Sequence, residues 1–334
     1  MKKLAFLLVA VFCAFSMFVG CSGDTNVVRV NEVAHSIFYA PMYIAQTQGY
    51  FEEEGIKVEL SLGNGAANSM NALLANQADI GLMGPEAAIY VANQGKKDQP
   101  VIFGQLTKRD GSFLVGRVAE PDFEWGNLKG KHVLSGRPGG VPFMTLSYML
   151  AGHGVVHGQD STNLDTSVEF ANMVGSFLGG NGDYCTMFEP QASDVVEAGK
   201  GYILGSVGEA AGEVPYTAFM ANSSFLKNNK DKAMAFLRAV QRGYDYLMTA
   251  DINDVVMALR PQFLSVSDAS IKASILSYKA IDAWMSSPVM QESALDKLQD
   301  IMIAGGELTT KVAFSKVVNN TLALELVTEL GLVA

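Results

Sequence analysis

Short apolar runs alternate with amphipathic stretches through the first two thirds of the chain. Residues 27–33, 56–62, Ile80–Met83 and 101–106 read as strands. Residues 42–48, 66–76 and 87–94 lie between them and read as helices. Such alternation predicts βαβ units on a largely parallel sheet. Pro41 and Pro85 each fall where a first helical turn tolerates a missing N–H.

A polar, glycine-containing break at Lys108-Arg109-Asp110-Gly111-Ser112 opens a second series. Its expected strands are 132–135, 167–170, 184–187 and 202–207; its expected helices are 143–150, Met173–Leu178 and 191–198. Beyond residues 216–220 the pattern becomes helical only. Residues 231–248 put Met234, Leu237, Val240, Tyr244 and Leu247 on one face. The expectation is therefore an α/β protein of two lobes, each a mixed sheet flanked by helices, with a helical C-terminal tail on the first lobe. Residues 27–111 and 218–334 would form lobe I, and residues 112–217 lobe II. Ligand sites in open α/β sheets lie at the carboxyl ends of strands, which places a site in the cleft between the lobes.

The N-terminus changes the setting. Lys2 and Lys3 precede an apolar run over residues 4–19, then Gly20-Cys21 and the polar Ser22-Gly23-Asp24. This order describes an export signal over residues 1–20, and the cysteine after Gly20 makes it resemble a bacterial lipoprotein signal. Cys21 would carry the lipid, residues 21–26 would form an anchor and linker, and the protein would sit outside the cytoplasm, tethered to the membrane by that lipid alone. Phe18 stands where such signals usually have Leu. Losing residues 1–20 removes two lysines and no acid, so the formal charge moves from −10 to −12. Such a surface repels phosphate backbones, which argues against a nucleic-acid partner. With Cys21 lipidated, Cys185 has no partner for a disulfide.

The most informative stretch runs from Ser36-Ile37-Phe38-Tyr39-Ala40-Pro41 through Gly49-Tyr50-Phe51-Glu52-Glu53-Glu54-Gly55. It resembles the opening of the nitrate, alkanesulfonate and thiamine-pyrimidine-precursor group of periplasmic binding proteins. Asn71-Ala72-Leu73-Leu74 with Gln77-Ala78-Asp79-Ile80-Gly81, Leu128-Lys129-Gly130-Lys131, Phe188-Glu189-Pro190 and Val214-Pro215-Tyr216 look like later segments of the same group. The resemblance covers about residues 27–226. It implies a type II periplasmic binding protein fold, no catalysis, and a small-molecule ligand handed to an ABC permease and its ATPase; a monomer without a cofactor is expected.

Candidate ligand contacts follow from the predicted strand ends. His35, Phe38 and Tyr39 follow the first strand; Asn64 and Gly65 precede a helix whose free N–H groups face the cleft. Gly63-x-Gly65-x-x-Asn68 nearly spells a dinucleotide fingerprint but lacks its third glycine and distant acid. Glu86, after Gly84-Pro85, can accept from an amino group or cap its own helix. Arg137 and Gly139 lie in a glycine-rich turn, where Arg137 either pairs with an anionic group or points to solvent. Tyr184, Phe188, Glu189 and Tyr216 complete the set, the aromatics suiting a flat or apolar solute.

His153-x-x-x-His157 has metal-ligand spacing, but Gly152, Gly154 and Gly158 argue for a loop, and no metal is expected. The same fold group includes a eukaryotic pyrimidine synthase with a cysteine-rich iron motif; here Cys185 stands alone, so an enzyme is not expected. The aromatics and the acids Glu86 and Glu189 point to a nitrogen heterocycle such as a thiamine pyrimidine precursor. Arg137 and the helix N-termini keep a small anion, a sulfonate or nitrate, as the alternative.

Overall fold

The computed structural model describes residues 26–95 and 98–333. The expected signal over residues 1–20 and the lipidation point Cys21 lie outside the described residues. In chain order the strands are β1 (Val27–Glu32), β2 (Lys57–Leu62), β3 (Ile80–Met83), β4 (Pro100–Thr107), β5 (Ser112–Gly116), β6 (His132–Leu134), β7 (Asn163–Asp165), β8 (Tyr184–Phe188), β9 (Tyr202–Ser206) and β10 (Thr217–Asn222). The helices that bear on the site are α1 (Ala40–Thr47), α2 (Ala66–Leu74), α3 (Glu86–Ala92), α4 (Val141–Gly152), α5 (Gln191–Glu197), α6 (Lys230–Thr249), α7 (Ile252–Leu259) and α8 (Asp268–Ala280).

Two five-stranded sheets result, ordered β2-β1-β3-β10-β4 and β7-β6-β8-β5-β9. Each has three parallel strands followed by one antiparallel strand: β10 runs against β3 and β4, and β5 against β8 and β9. The chain crosses between them after β4 and returns before β10. This is the expected two-lobed α/β architecture of mixed sheets flanked by helices.

β4 is an edge strand, yet all eight of its residues are buried. An open edge would invite pairing with another chain. The C-terminal tail covers it: Gln105 N–H donates to Pro288 O at 2.8 Å, Met285 N–H to Leu106 O at 2.9 Å, and Asn319 N–H to Ile102 O at 2.8 Å. The tail is therefore not purely helical, because its connections run alongside β4 as extra ladder partners. Helix α6 packs on α1. Its predicted face is buried at Met234, Leu237, Val240 and Leu247. Each such side chain contributes about 1.5–3 kcal/mol relative to exposure.

Two elements depart from the sequence reading. Residues 167–170 are not a strand; β7 ends at Asp165, whose carboxylate accepts from Ser167 N–H at 2.8 Å and Ser167 O–H at 2.6 Å. That side-chain turn competes with the ladder and bends the chain away. β5 is the second, a strand whose apolar run Phe113-Leu114-Val115 is too short to announce itself. His153 and His157 are both exposed beyond the end of α4.

Candidate functional site

The loops that follow β1, β3, β6 and β8, with both crossings, converge between the sheets. Ser36 caps the short turn Ile37–Tyr39 by accepting from Phe38 N–H, and Trp284 Nε1–H donates to Phe38 O at 2.8 Å. Phe38 is thereby fixed over the cleft. It meets Phe188 of the second sheet edge to face, Tyr216 at 5.8 Å between ring centroids, and Tyr278 of α8 at 4.9 Å. Gly111 lies beneath this stack, where a Cβ would fall 2.8–2.9 Å from the Phe38 and Phe188 rings. Only the smallest residue fits there.

Acids line the same space. Glu86 opens α3 and is 4 % exposed. Its carboxyl faces the N–H groups of its own helix start and, across the cleft, that of Val141 in the first turn of α4. Gly84 permits this fold-back, since a Cβ there would lie 2.0 Å from Oε2. Burial raises the Glu86 carboxyl to about 7, opposed by Arg137 and those amides. Asp110, at the first crossing, is fully buried. Its Oδ1 accepts from Ser112 N–H at 2.7 Å and Ser112 O–H at 2.6 Å, and burial raises it too to about 7. Glu86 Oε2, Asp110 Oδ2 and Tyr216 Oη are buried without hydrogen-bond partners. Burial holds the Tyr39 and Tyr216 hydroxyls well above the usual phenol range, so both stay protonated. The arrangement is an aromatic slot with acceptor oxygens at its walls.

The residues singled out in the sequence divide into groups. Phe38, Tyr39, Glu86, Phe188 and Tyr216 come together in this slot. Gly139 and Arg137 stand at its rim: Gly139 O accepts from the Tyr90 hydroxyl at 3.0 Å, and Arg137 is exposed beside Glu86. Glu189 is buried nearby, but its carboxylate is taken by Ser193 N–H at 3.0 Å and Ser193 O–H at 2.8 Å in α5. Tyr184 begins β8 at the end away from the slot, and its hydroxyl donates to Glu120 at 2.7 Å. Asn64 is exposed and Gly65 half-buried before α2. Asp110 escaped the sequence reading because it lay in the polar break; the usable signal was an acid at the point where the chain changes sheets.

His35 belongs to a neighbouring hollow of about 310 Å³ lined by Glu32, His35, Leu60, Ser61, Leu62 and Gln262. Its Nδ1 lies 2.9 Å from Glu32 Oε1 and its Nε2 2.9 Å from Gln262 O, while the ring stacks on Phe263. Two acceptors on the two ring nitrogens favour the imidazolium, and the Glu32 contact raises its pKa. Among the described residues none of the second sheet lines this hollow, so a solute there would touch one lobe. Cys185 is fully buried, its thiol pushed up to about 12 by burial. Among the described residues no group of three or more His, Cys, Asp or Glu could hold a metal ion, and no helix is long and apolar enough to cross a membrane.

Comparison with known proteins gives a consistent picture. The family described as NMT1/THI5 like matches residues 37–251. The Bacillus subtilis (strain 168) protein YtlA, which carries a binding-protein name, is 40 % identical over 302 residues, 90 % of each chain. The 4-amino-5-hydroxymethyl-2-methylpyrimidine phosphate synthase of Aspergillus parasiticus is 25 % identical over 223 residues, 63 % of each. Among solved structures, the periplasmic nitrate-binding protein NrtA of Synechocystis PCC 6803 superposes with a TM-score of 0.76 at 18 % identity, over 91 % of this chain and 89 % of that one.

Proposed function

The chain belongs to the NMT1/THI5-like family, and from that premise we propose that it is the extracytoplasmic solute-binding lipoprotein of an ABC importer, capturing a nitrogen heterocycle between two closing lobes. The observation that carries this reading is the slot itself. Phe38 and Phe188 come from different lobes and touch at its centre, with Glu86 held across the cleft against Val141. A solute packed against this ring pair contacts both lobes at once, and only contacts better in the closed state can drive closure. Residues 27–111 with 218–334 would move as one body and 112–217 as the other. Tyr39, Phe38, Glu86, Phe188 and Tyr216 would touch the ligand, and Arg137 and Gly139 would seal its rim. His35, Asn64 and Gly65 would face the entrance, while Glu189 and Tyr184 would hold the second lobe's walls.

Cys21 would anchor the protein on the outer side of the membrane, where it would deliver solute to a permease and ATPase as a monomer without catalysis. The alternative ligand, a small anion, draws on the exposed Arg137 and on the nitrate-binding structural neighbour. Against it, the first turns of α3 and α4, where an anion would sit, already face the Glu86 carboxyl. Thermal-shift titration with the aminopyrimidine, riboflavin, taurine and nitrate tests the choice. Stabilisation by the heterocycles supports the reading, and stabilisation by taurine or nitrate alone overturns it.

A further inference from the structure

Asp110 has no counterpart among the residues that the sequence pattern singled out. It sits between β4 and β5, where the chain leaves the first sheet, and none of its surface reaches solvent. One carboxyl oxygen is fully used by Ser112. The other, Oδ2, is buried; the donor beside it is the Tyr216 hydroxyl, and the two fall short of ordinary hydrogen-bond geometry. Tyr216 is close enough to feel the charges of both Asp110 and Glu86, and Glu86 Oε2 is likewise buried and unpartnered. Leaving a buried carboxyl oxygen unsatisfied is costly, and nearly all such atoms in folded proteins find a donor. Two such carboxyl oxygens border one aromatic slot, and the Tyr216 hydroxyl stands beside the first of them.

We propose that Asp110 is a ligand-binding residue and that, acting with Glu86, it selects a basic nitrogen compound able to give N–H groups to two carboxylates. This rests on the reading of the slot as the solute site. The chemistry is one-sided: two buried acids gain nothing from a hydrocarbon, ionise beside an anion only at a cost, and are both ionised and satisfied by a basic compound with N–H groups on two edges. An aminopyrimidine protonated on its ring has that pattern, and its flat ring suits the Phe38, Phe188 and Tyr216 faces. Gly208 enforces the arrangement from the second lobe: a Cβ there would lie 2.2 Å from Asp110 O, so the backbone at Asp110 is packed tightly in place.

The test is calorimetric titration of 4-amino-5-hydroxymethyl-2-methylpyrimidine, guanidinium, riboflavin and taurine into the mature chain and into Asp110→Asn. Asparagine keeps the oxygen that serves Ser112 and removes the group that ionises against a basic ligand. The proposal expects the pyrimidine to bind the wild type and to lose roughly ten- to hundredfold in affinity in Asp110→Asn, the usual worth of a hydrogen bond to a charged group, with the ligand-free melting temperature not lowered. Unchanged affinity in Asp110→Asn overturns it and leaves the receptor reading standing; so does a lowered melting temperature with unchanged affinity, which would make Asp110 structural. Binding of riboflavin or taurine without either basic probe also overturns it, and taurine alone takes the heterocycle reading with it. If none of the four binds the wild type, the proposal is overturned as well. Should Asp110→Asn fail to fold, Tyr216→Phe removes only the hydroxyl beside Asp110, and the same loss is expected for the pyrimidine.

Discussion

Phe38 of the first lobe meets Phe188 of the second with ring centroids 5.9 Å apart and planes at 71°. An edge-to-face pair of this kind contributes about 0.5–1.5 kcal/mol beyond the area it buries. Because Phe38 follows β1 and Phe188 ends β8, that energy couples the two lobes and does not fold either one. Phe188→Ala should weaken ligand affinity by roughly two- to tenfold while the ligand-free melting temperature changes little, read by calorimetry and thermal melting side by side. A large loss of ligand-free stability would show that Phe188 supports its own lobe instead.

Gly84 offers a way to displace Glu86 without changing its charge. A methyl group there would overlap the carboxyl, which lies 2.0 Å from the Cβ position, so the side chain must swing out of the cleft. Gly84→Ala should therefore reproduce the binding defect of Glu86→Gln, with both variants folded by circular dichroism. Normal binding in Gly84→Ala together with defective Glu86→Gln would mean that the carboxyl works from another rotamer.

Much of this was legible in the chain, for identifiable reasons. β3 is apolar and buried throughout, β8 is apolar but for Thr186, and β1 opens on three valines around Arg29, so each gives a readable pattern. Phe38, Tyr39 and Glu86 lie beyond such strands, Phe188 closes one and Tyr216 stands just before β10, so the rule that ligands gather at strand ends singles them out. β5 and Asp110 were not legible, because both depend on where the chain changes sheets, a long-range fact that local periodicity does not carry. The role of Glu189 was hidden for a similar reason: its carboxylate is turned to Ser193, four residues on, and no pattern says whether an acid faces the cleft or its own helix.

The tether makes a separate prediction. If Cys21 carries the lipid, Cys21→Ala should move the protein from the membrane fraction to the soluble extracytoplasmic fraction, with ligand affinity unchanged. Immunoblotting of fractionated cells reads the outcome. Retention of Cys21→Ala in the membrane would point to an uncleaved apolar segment over residues 4–19.

Stability should fall as pH rises across the neutral range, and the sign can be worked out group by group. Glu86 and Asp110 hold their protons to about 7 in the folded protein because burial disfavours their charge, whereas the unfolded chain ionises them near 4.5 and 3.8. Between those values the folded state binds more protons, so raising the pH favours unfolding. Arg137 beside Glu86 and the Tyr216 hydroxyl beside Asp110 moderate the effect without reversing it. His35 acts in the same direction. Its pKa is raised by Glu32, so its contribution is complete below 6.5 and disappears as the pH passes through its folded value. Asp165 works the other way, its pKa lowered by Ser167 and His132, but its stabilisation is lost only in acid below this window. Melting temperatures of the ligand-free protein should accordingly decline from pH 5 to pH 8. Glu86→Gln with Asp110→Asn should flatten the part of the curve below about 7, and His35→Asn the part above 6.5. A double variant that keeps the wild-type slope would mean that the two carboxyls are already ionised at pH 5, and the slot would then hold two fixed negative charges that only a cation could neutralise.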